Sequence, residues 1–391
     1  MTETTNHTKS DLIDTGDVAL IYVIDPPNLL TPSIPLLLSI RRHHPNATVI
    51  PYCPKGKLEQ IPQRIRQFHV ENNAPIQELS RELEFARRNN SKPYYHGHKI
   101  LAAAEKRDTK FCIWLDTDTY LAQRLDDARL FQKNKIAAVP ESVAGYAGRF
   151  MEVWDKTYAV FGLETPPERM KMLRTTNVQP PYFNAGFIAF PEVTERGERF
   201  GELWLDTAMI IDFDETLDHE RKRPWLDQAS LPVAIFRGGC GFEQMEPEFN
   251  YPIDVPDWFP HDGVKLYHYH GIERLEATKH FSEMEDLVVS SGYFRSLEHH
   301  LHPMLQRRKE QAVYWKRIAL IADERREYAE KMRQCENKAD QRPFKQEIQK
   351  RKLEDKELRA KKDAIFEHHF YDEAWLVKCD ENRKAAPAAA S

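Results

Sequence analysis

Apolar and polar positions fall into three patterns along this chain, and each predicts an element. DVALIYVID, Asp17 to Asp25, is a continuous apolar run closed by a carboxylate, which suits a strand buried on both faces. Pro26, Pro27 and Asn28 break it. SIPLLLSIRRHHP then predicts a helix stopped before Pro45, and ATVIPYC predicts a second strand. Strand, helix and strand within about forty residues make a βαβ unit, so the expected fold class is α/β, with a mainly parallel sheet flanked by helices. KPYYHGHKILAAAEKRD carries apolar residues at Tyr94, Tyr95, Ile100, Leu101 and Ala104, roughly a helical spacing, and leads into FCIWL, a further strand. PYFNAGFIAF reads as a strand, and RFGELWLDTAMIIDF as a helix with Phe200, Leu203, Trp204, Ala208 and Ile211 on one face. VKLYHYHG reads as a strand with His268 and His270 on the same side.

Past residue 304 the pattern changes to charges of both signs without glycine, which predicts long, solvated helices. These offer an antiparallel pair, a brace along the core, or an arm through which a homo-oligomer forms. The expected organisation is therefore a disordered lead-in over 1–16, one α/β domain over 17–303, a charged helical extension over 304–370 and a flexible tail over 371–391.

Composition narrows the class only a little. A chain of 391 residues, 41% hydrophobic, can bury a sizeable core. A net charge of −5 excludes a global polyanion binder, and RRHH (Arg41 to His44) is too short a basic patch to suggest nucleic acid. The five cysteines, Cys53, Cys112, Cys240, Cys335 and Cys379, form no CxxC pair, which argues against a zinc site or a disulfide framework. No basic-then-apolar leader opens the chain, and the apolar runs fall short of the ~20 residues of a membrane span. A cytoplasmic protein is the expectation.

The chemistry concentrates in LDTDT. A buried strand ending in Asp116 and Asp118 suits a hard metal cation, and two enzyme classes are built that way. In haloacid-dehalogenase phosphatases the first aspartate is the nucleophile. MIIDFDETLD looks even more like their signature, with Asp212 as nucleophile and Asp214 as general acid. However, the residues before Asp212 continue a helical pattern, and no Gly-Asp or Asp-Asp pair follows to complete a magnesium site. In the other class the metal grips a nucleoside diphosphate sugar. A third ligand can come from His268 or His270, imidazole beside carboxylates suiting manganese better than calcium. Gly271 lets backbone amides approach a diphosphate, and Arg274 and Lys99 can offset its charge.

At this point four segments, in order, resemble the retaining GT-A glycosyltransferases typified by glycogenin and the lipopolysaccharide galactosyltransferases, over residues 17 to about 280. LDTDT resembles the metal-binding Asp-x-Asp, YFNAGFIAF the Phe-Asn-(Ala/Ser)-Gly strand, WLDQASL the Asp-Gln segment, and HYHGIER the His-Phe-x-Gly-x-x-Lys segment. The resemblance implies a GT-A-type, Rossmann-like fold, a UDP-sugar donor and Mn²⁺ or Mg²⁺. It implies Asp116, Asp118 and His268 as metal ligands, with Asn184, Ala185 and Gly186 lining the donor-sugar and acceptor pocket. It further implies Asp227 on the sugar hydroxyls, Gln228 near the anomeric carbon, Gly271 and Arg274 on the diphosphate, Lys99 on the donor and Asp25 near the nucleobase. The chain departs from the family in Leu275-Glu276, where Pro-Trp is usual, in Arg274 for Lys, and in a long insert before Asn184 that is expected to build the acceptor side. Structural readings compete at single positions: Asn184 serving a strand bend, Asp227 capping a helix, either histidine filling a core. A silent sugar-nucleotide scaffold whose helices recruit a partner is the non-enzymatic alternative.

Overall fold

The computed structural model describes residues 9–364 apart from 27, 83–84, 86–93, 144, 149, 254–259, 272–273, 276–277, 285–297 and 336. The chain divides into two units, Met1–His270 with Arg274–Val288, and Gly271–Glu273 with Val289–Ser391.

The first unit is built on β1 (Val18–Val23), α1 (Leu30–His43), β2 (Thr48–Cys53), α2 (Gln63–Glu71), β3 (Gln77–Glu78), α3 (Gly97–Ala104), β4 (Phe111–Leu115) and β5 (Thr119–Leu121). All six residues of β1 and all five of β4 are buried, because helices cover both faces of the sheet at its centre. Each large apolar side chain so buried contributes about 1.5–3 kcal/mol. α1 ends at His43, where the His44 N–H returns to Ile40 O before Pro45. α3 ends at Ala104, and Arg107 closes it by donating to the carbonyls of Ala102 and Ala103 while pairing with buried Glu192.

The chain continues through β6 (Lys135–Pro140), α4 (Met151–Ala159), β7 (Met170–Lys171), β8 (Val178–Gln179), β9 (Phe183–Pro191), α5 (Phe200–Phe213), α6 (His219–Arg237), β10 (Gly241–Gln244), β11 (Tyr251–Pro252) and β12 (Leu266–His268). The main sheet runs β10-β6-β9-β4-β1-β2-β3. Only β9 is antiparallel to its neighbours, β4 and β6. Its first residues therefore lie at the carboxyl ends of the parallel strands, where ligands of such sheets gather. A second sheet, β11-β12-β5, sets β12 antiparallel to β5 with His268 opposite Thr119.

Two expectations change. The lead-in contains an ordered turn of 3₁₀ helix, Lys9–Thr15. Ile13 is fully buried, and Asp14 pairs with Arg124 and accepts from Asn46 N–H, so the segment packs where polarity alone suggested disorder. The strand read through VKLYHYHG stops at His268, and His270 takes a left-handed backbone with φ of 53°. Residues 1–8 and the tail over 371–391 lie outside the described residues. In MIIDFDETLD, Asp212 is inside α5, and the helix closes when buried Lys222 donates to the carbonyls of Ile211 and Asp214.

The second unit holds α7 (Glu298–Gln334) and α8 (Lys338–Ala364), an antiparallel pair. Gln311 donates to Lys362 O at 3.0 Å, and Arg317 bridges Glu324 and Glu354. The mixed charges read from the sequence form pairs both between the helices, as Arg317 with Glu354, and within one helix, as Lys331 with Glu327, individually worth little at an exposed surface. Among the described residues, no helix is long and apolar enough to cross a membrane.

Candidate active site

A cavity of about 870 Å³ opens at the carboxyl ends of β1, β4 and β6. Its size is that of a small-molecule site. Of the residues singled out in the sequence, Asp25, Lys99, Asp116, Asp118, Asn184, Ala185, Gly186, Asp227, Gln228 and His268 all line it. Gly271 and Arg274 are not among its lining residues; the chain has already turned at His270, which does line it.

Asp116 and Asp118 follow β4 directly, and β12 brings His268 beside them. Tyr269 N–H donates to Asp118 O at 3.1 Å, which pins the two segments together. His268 Nε2 then lies 3.4 Å from Asp118 Oδ1 and 3.8 Å from Asp116 Oδ2. One ligand atom from each of the three falls within 4.8 Å of the others. Two carboxylate oxygens and one imidazole nitrogen form a donor set that fits a divalent cation such as manganese. Burial works against the Asp118 charge, but His268 outweighs it and holds the carboxyl below its ordinary range. The same pair raises His268 despite its burial. His270 stacks on His268 with ring centroids 4.0 Å apart, and burial and then the neighbouring imidazole lower it to about 4.

Lys99 ties the acids together. Burial disfavours its charge, yet Asp116 at 2.9 Å and Asp227 at 3.0 Å raise its pKa above the ordinary lysine range. It also donates to Ala185 O at 3.1 Å. Asp227 does not cap a helix: it follows the kink at Trp225 within α6, and its second oxygen accepts from Tyr94 Oη at 2.6 Å. Burial pushes the Asp227 carboxyl up, but Lys99 and His96 bring it below the usual value. Asn184 serves both structure and cavity. Its Oδ1 accepts from Gly186 N–H and from Asn250, and its Nδ2 donates to Glu141 at 2.8 Å. Gln228 Oε1 accepts from Tyr182 Oη at 2.7 Å. At the β1 end, Asp25 pairs with Lys57 at 2.8 Å and His98 at 3.1 Å, which outweigh its burial and lower its pKa.

Glu141 escaped the sequence reading. It is 5% exposed, burial raises its pKa, and it holds Asn184. Its signal was present: it follows the apolar run KIAAVP as Asp116 follows FCIWL. His98 stood one residue before Lys99. Tyr94 and Asn250 had no local signal, since their roles come from partners 133 and 66 residues away.

Residues 20–239 match the family described as the Rhodobacterales glycosyltransferase domain. The chain belongs to that family. It carries a glycosyltransferase domain, and that domain is built on the expected mixed, mainly parallel sheet flanked by helices. Among solved structures it is similar to the apo form of the bifunctional glycosyltransferase WbbM, at 17% identity and a TM-score of 0.42, covering 69% of this chain and 51% of that one. The chain thus spans about half the length of WbbM. It is also similar to the galactosyltransferase LgtC in complex with donor and acceptor sugar analogs, at 13% identity and a TM-score of 0.41, covering 70% and 95%. Mouse xyloside xylosyltransferase 1, apo, gives 13% identity and 0.42, covering 65% and 97%. No curated protein matches the chain significantly.

Proposed function

We propose that the protein transfers a sugar from a nucleoside diphosphate sugar, UDP-linked, to an acceptor with the help of Mn²⁺ or Mg²⁺, retaining the anomeric configuration. The observation that carries this reading is the convergence of Asp116, Asp118 and His268 on one point at the strand ends. A divalent ion held by these three would act as Lewis acid and offset charge on the departing diphosphate. Asp25, with Lys57 and His98, would meet the nucleoside end. Lys99 holds Asp116 and Asp227 in fixed positions as the donor enters. Asp227 would face donor-sugar hydroxyls. Gln228, its carbonyl fixed by Tyr182, and Asn184, fixed by Glu141, Gly186 and Asn250, would present amides near the reacting carbon. Such preset polar groups lower a barrier because they need no reorganisation as charge develops.

The phosphatase alternative loses support from the helical setting of Asp212, and the silent scaffold from a complete acidic and imidazole cluster. The test is UDP release from a panel of UDP- and GDP-sugars, with manganese and with chelator, by the wild type and Asp118→Ala. Metal-dependent UDP release that Asp118→Ala loses, with an unchanged melting profile, is expected. Unchanged turnover in the variant overturns the reading.

A further inference from the structure

Asp25 and Glu141 lie at opposite ends of the cavity. They follow β1 and β6, three strand positions apart in the sheet, roughly 14 Å at the usual strand spacing. Toward the Asp25 end the lining cations are paired, Lys57 with Asp25 and Lys99 with Asp116 and Asp227. The Glu141 end differs. Arg174 lines the cavity there, is exposed, and has no side-chain hydrogen bond or ion pair among the described residues. Its backbone is nonetheless anchored: Arg174 N–H donates to Ser142 O at 2.9 Å and Leu173 N–H to Glu141 O at 3.1 Å, which fastens the β7–β8 hairpin to the loop after β6.

Trp225 supplies a wall. It sits at the kink of α6 with φ −123° and ψ 17°, is half-buried, and lines the cavity. Its indole is seated against the backbone of Gly145, where an added Cβ would meet the ring at 2.9 Å. The indole N–H has no hydrogen bond among the described residues. Exposed Pro224 and partly exposed Val143 extend this apolar lining. The face of a sugar ring that bears its C–H bonds is apolar and packs on the negative face of an aromatic ring. An unpaired guanidinium beside such a platform reads a carboxylate or phosphate by paired hydrogen bonds.

We propose that the Trp225 and Arg174 end of the cavity is the acceptor subsite and that the acceptor is an acidic glycan, its ring on Trp225 and its carboxylate or phosphate on Arg174. The assignment rests on the donor reading above, since the other end is then filled by the nucleotide.

The full-length protein is tested with methyl glucuronide, methyl glucoside 6-phosphate and neutral methyl glucoside. Each is measured as a ligand by saturation-transfer NMR without donor, and as an acceptor by UDP release. The wild type should bind an acidic probe at least about tenfold tighter than the neutral one. Arg174→Gln should bring that ratio close to one, and Trp225→Leu should weaken all three probes, with Trp225→Phe retaining part of the affinity. The stronger acidic probe identifies carboxylate or phosphate. Equal binding of acidic and neutral probes by the wild type, or an acidic preference that survives Arg174→Gln, overturns the proposal. UDP release by the wild type in water reports the donor separately, so its absence beside a normal acidic preference counts against the donor reading alone.

Discussion

Gly186 and His268 compete for one volume: a Cβ added to the glycine would meet His268 Cε1 at 2.7 Å and Nδ1 at 2.8 Å. Contacts that short force a neighbour to move, and the neighbour is the imidazole of the candidate metal site. Gly186→Ala should therefore cost about 1–3 kcal/mol in stability through overpacking. It should weaken Mn²⁺ binding by roughly 10–100-fold, because ligand orientation is what the surrounding shell provides. Calorimetric Mn²⁺ titration of the variant checks this, and wild-type affinity would show that His268 is not a ligand.

Lys99 neutralises buried Asp227 and partly buried Asp116, so its loss strands both. Lys99→Met is expected to destabilise the fold by about 3–5 kcal/mol, the usual result of removing one partner from a buried pair. Asp227→Asn in the same chain should recover part of the loss, since it removes one of the stranded charges. The Lys99 pKa is raised in the fold, so its contribution is complete below about 10.4, the unfolded value, and fades only at more alkaline pH. Urea unfolding at pH 8 and pH 11 should show the gap between wild type and Lys99→Met narrowing at the higher pH.

Acid should weaken the fold through His69. Its Nδ1 donates to Ile65 O at 2.8 Å, and its buried Nε2 has no partner among the described residues. Burial lowers its pKa to about 4. Between pH 6.5 and 4 the unfolded chain takes up a proton that the folded one refuses, so stability present above pH 6.5 falls by about 3 kcal/mol in total. His69→Asn keeps a donor for Ile65 O but cannot titrate. Its unfolding free energy should fall less steeply over that range, and an identical slope would assign the acid sensitivity elsewhere.

Asp212 separates the two carboxylate chemistries. Its oxygens pair with Arg223 at 2.9 and 3.0 Å in a buried position. Asp212→Asn should lower stability by about 3–5 kcal/mol yet change kcat for a UDP-sugar by less than about twofold. A loss of orders of magnitude in kcat, with the fold intact, would restore the phosphatase reading.

Much of this was visible in the chain because burial on both faces, helical periodicity and proline breaks are local properties. Val18–Val23, Phe111–Leu115 and Phe183–Pro191 are apolar throughout or nearly so, and each is a strand of the main sheet. The helical pattern through Phe200 and Trp204 likewise marks Asp212 as part of a helix in spite of its signature-like neighbours. The misreadings are also physical. The short polar lead-in packs because Arg124 and Asn46 reach Asp14 from elsewhere, and the strand toward His270 ends early at a left-handed residue.

Residue types and their order along the chain determined the strands, the main helices and the inventory of acids and imidazoles, since those depend on neighbours a few positions apart. Only the tertiary structure decided which of them meet. The reversal of β9 carries Asn184 and Gly186 to the ends of β4 and β6, and the pairing of β12 with β5 sets His268 against Asp118. Glu141 and Arg174 enter the cavity by the same kind of long-range pairing. Those contacts join residues tens to more than a hundred positions apart, and the free energy that selects them comes from closing the whole core rather than from any local stretch.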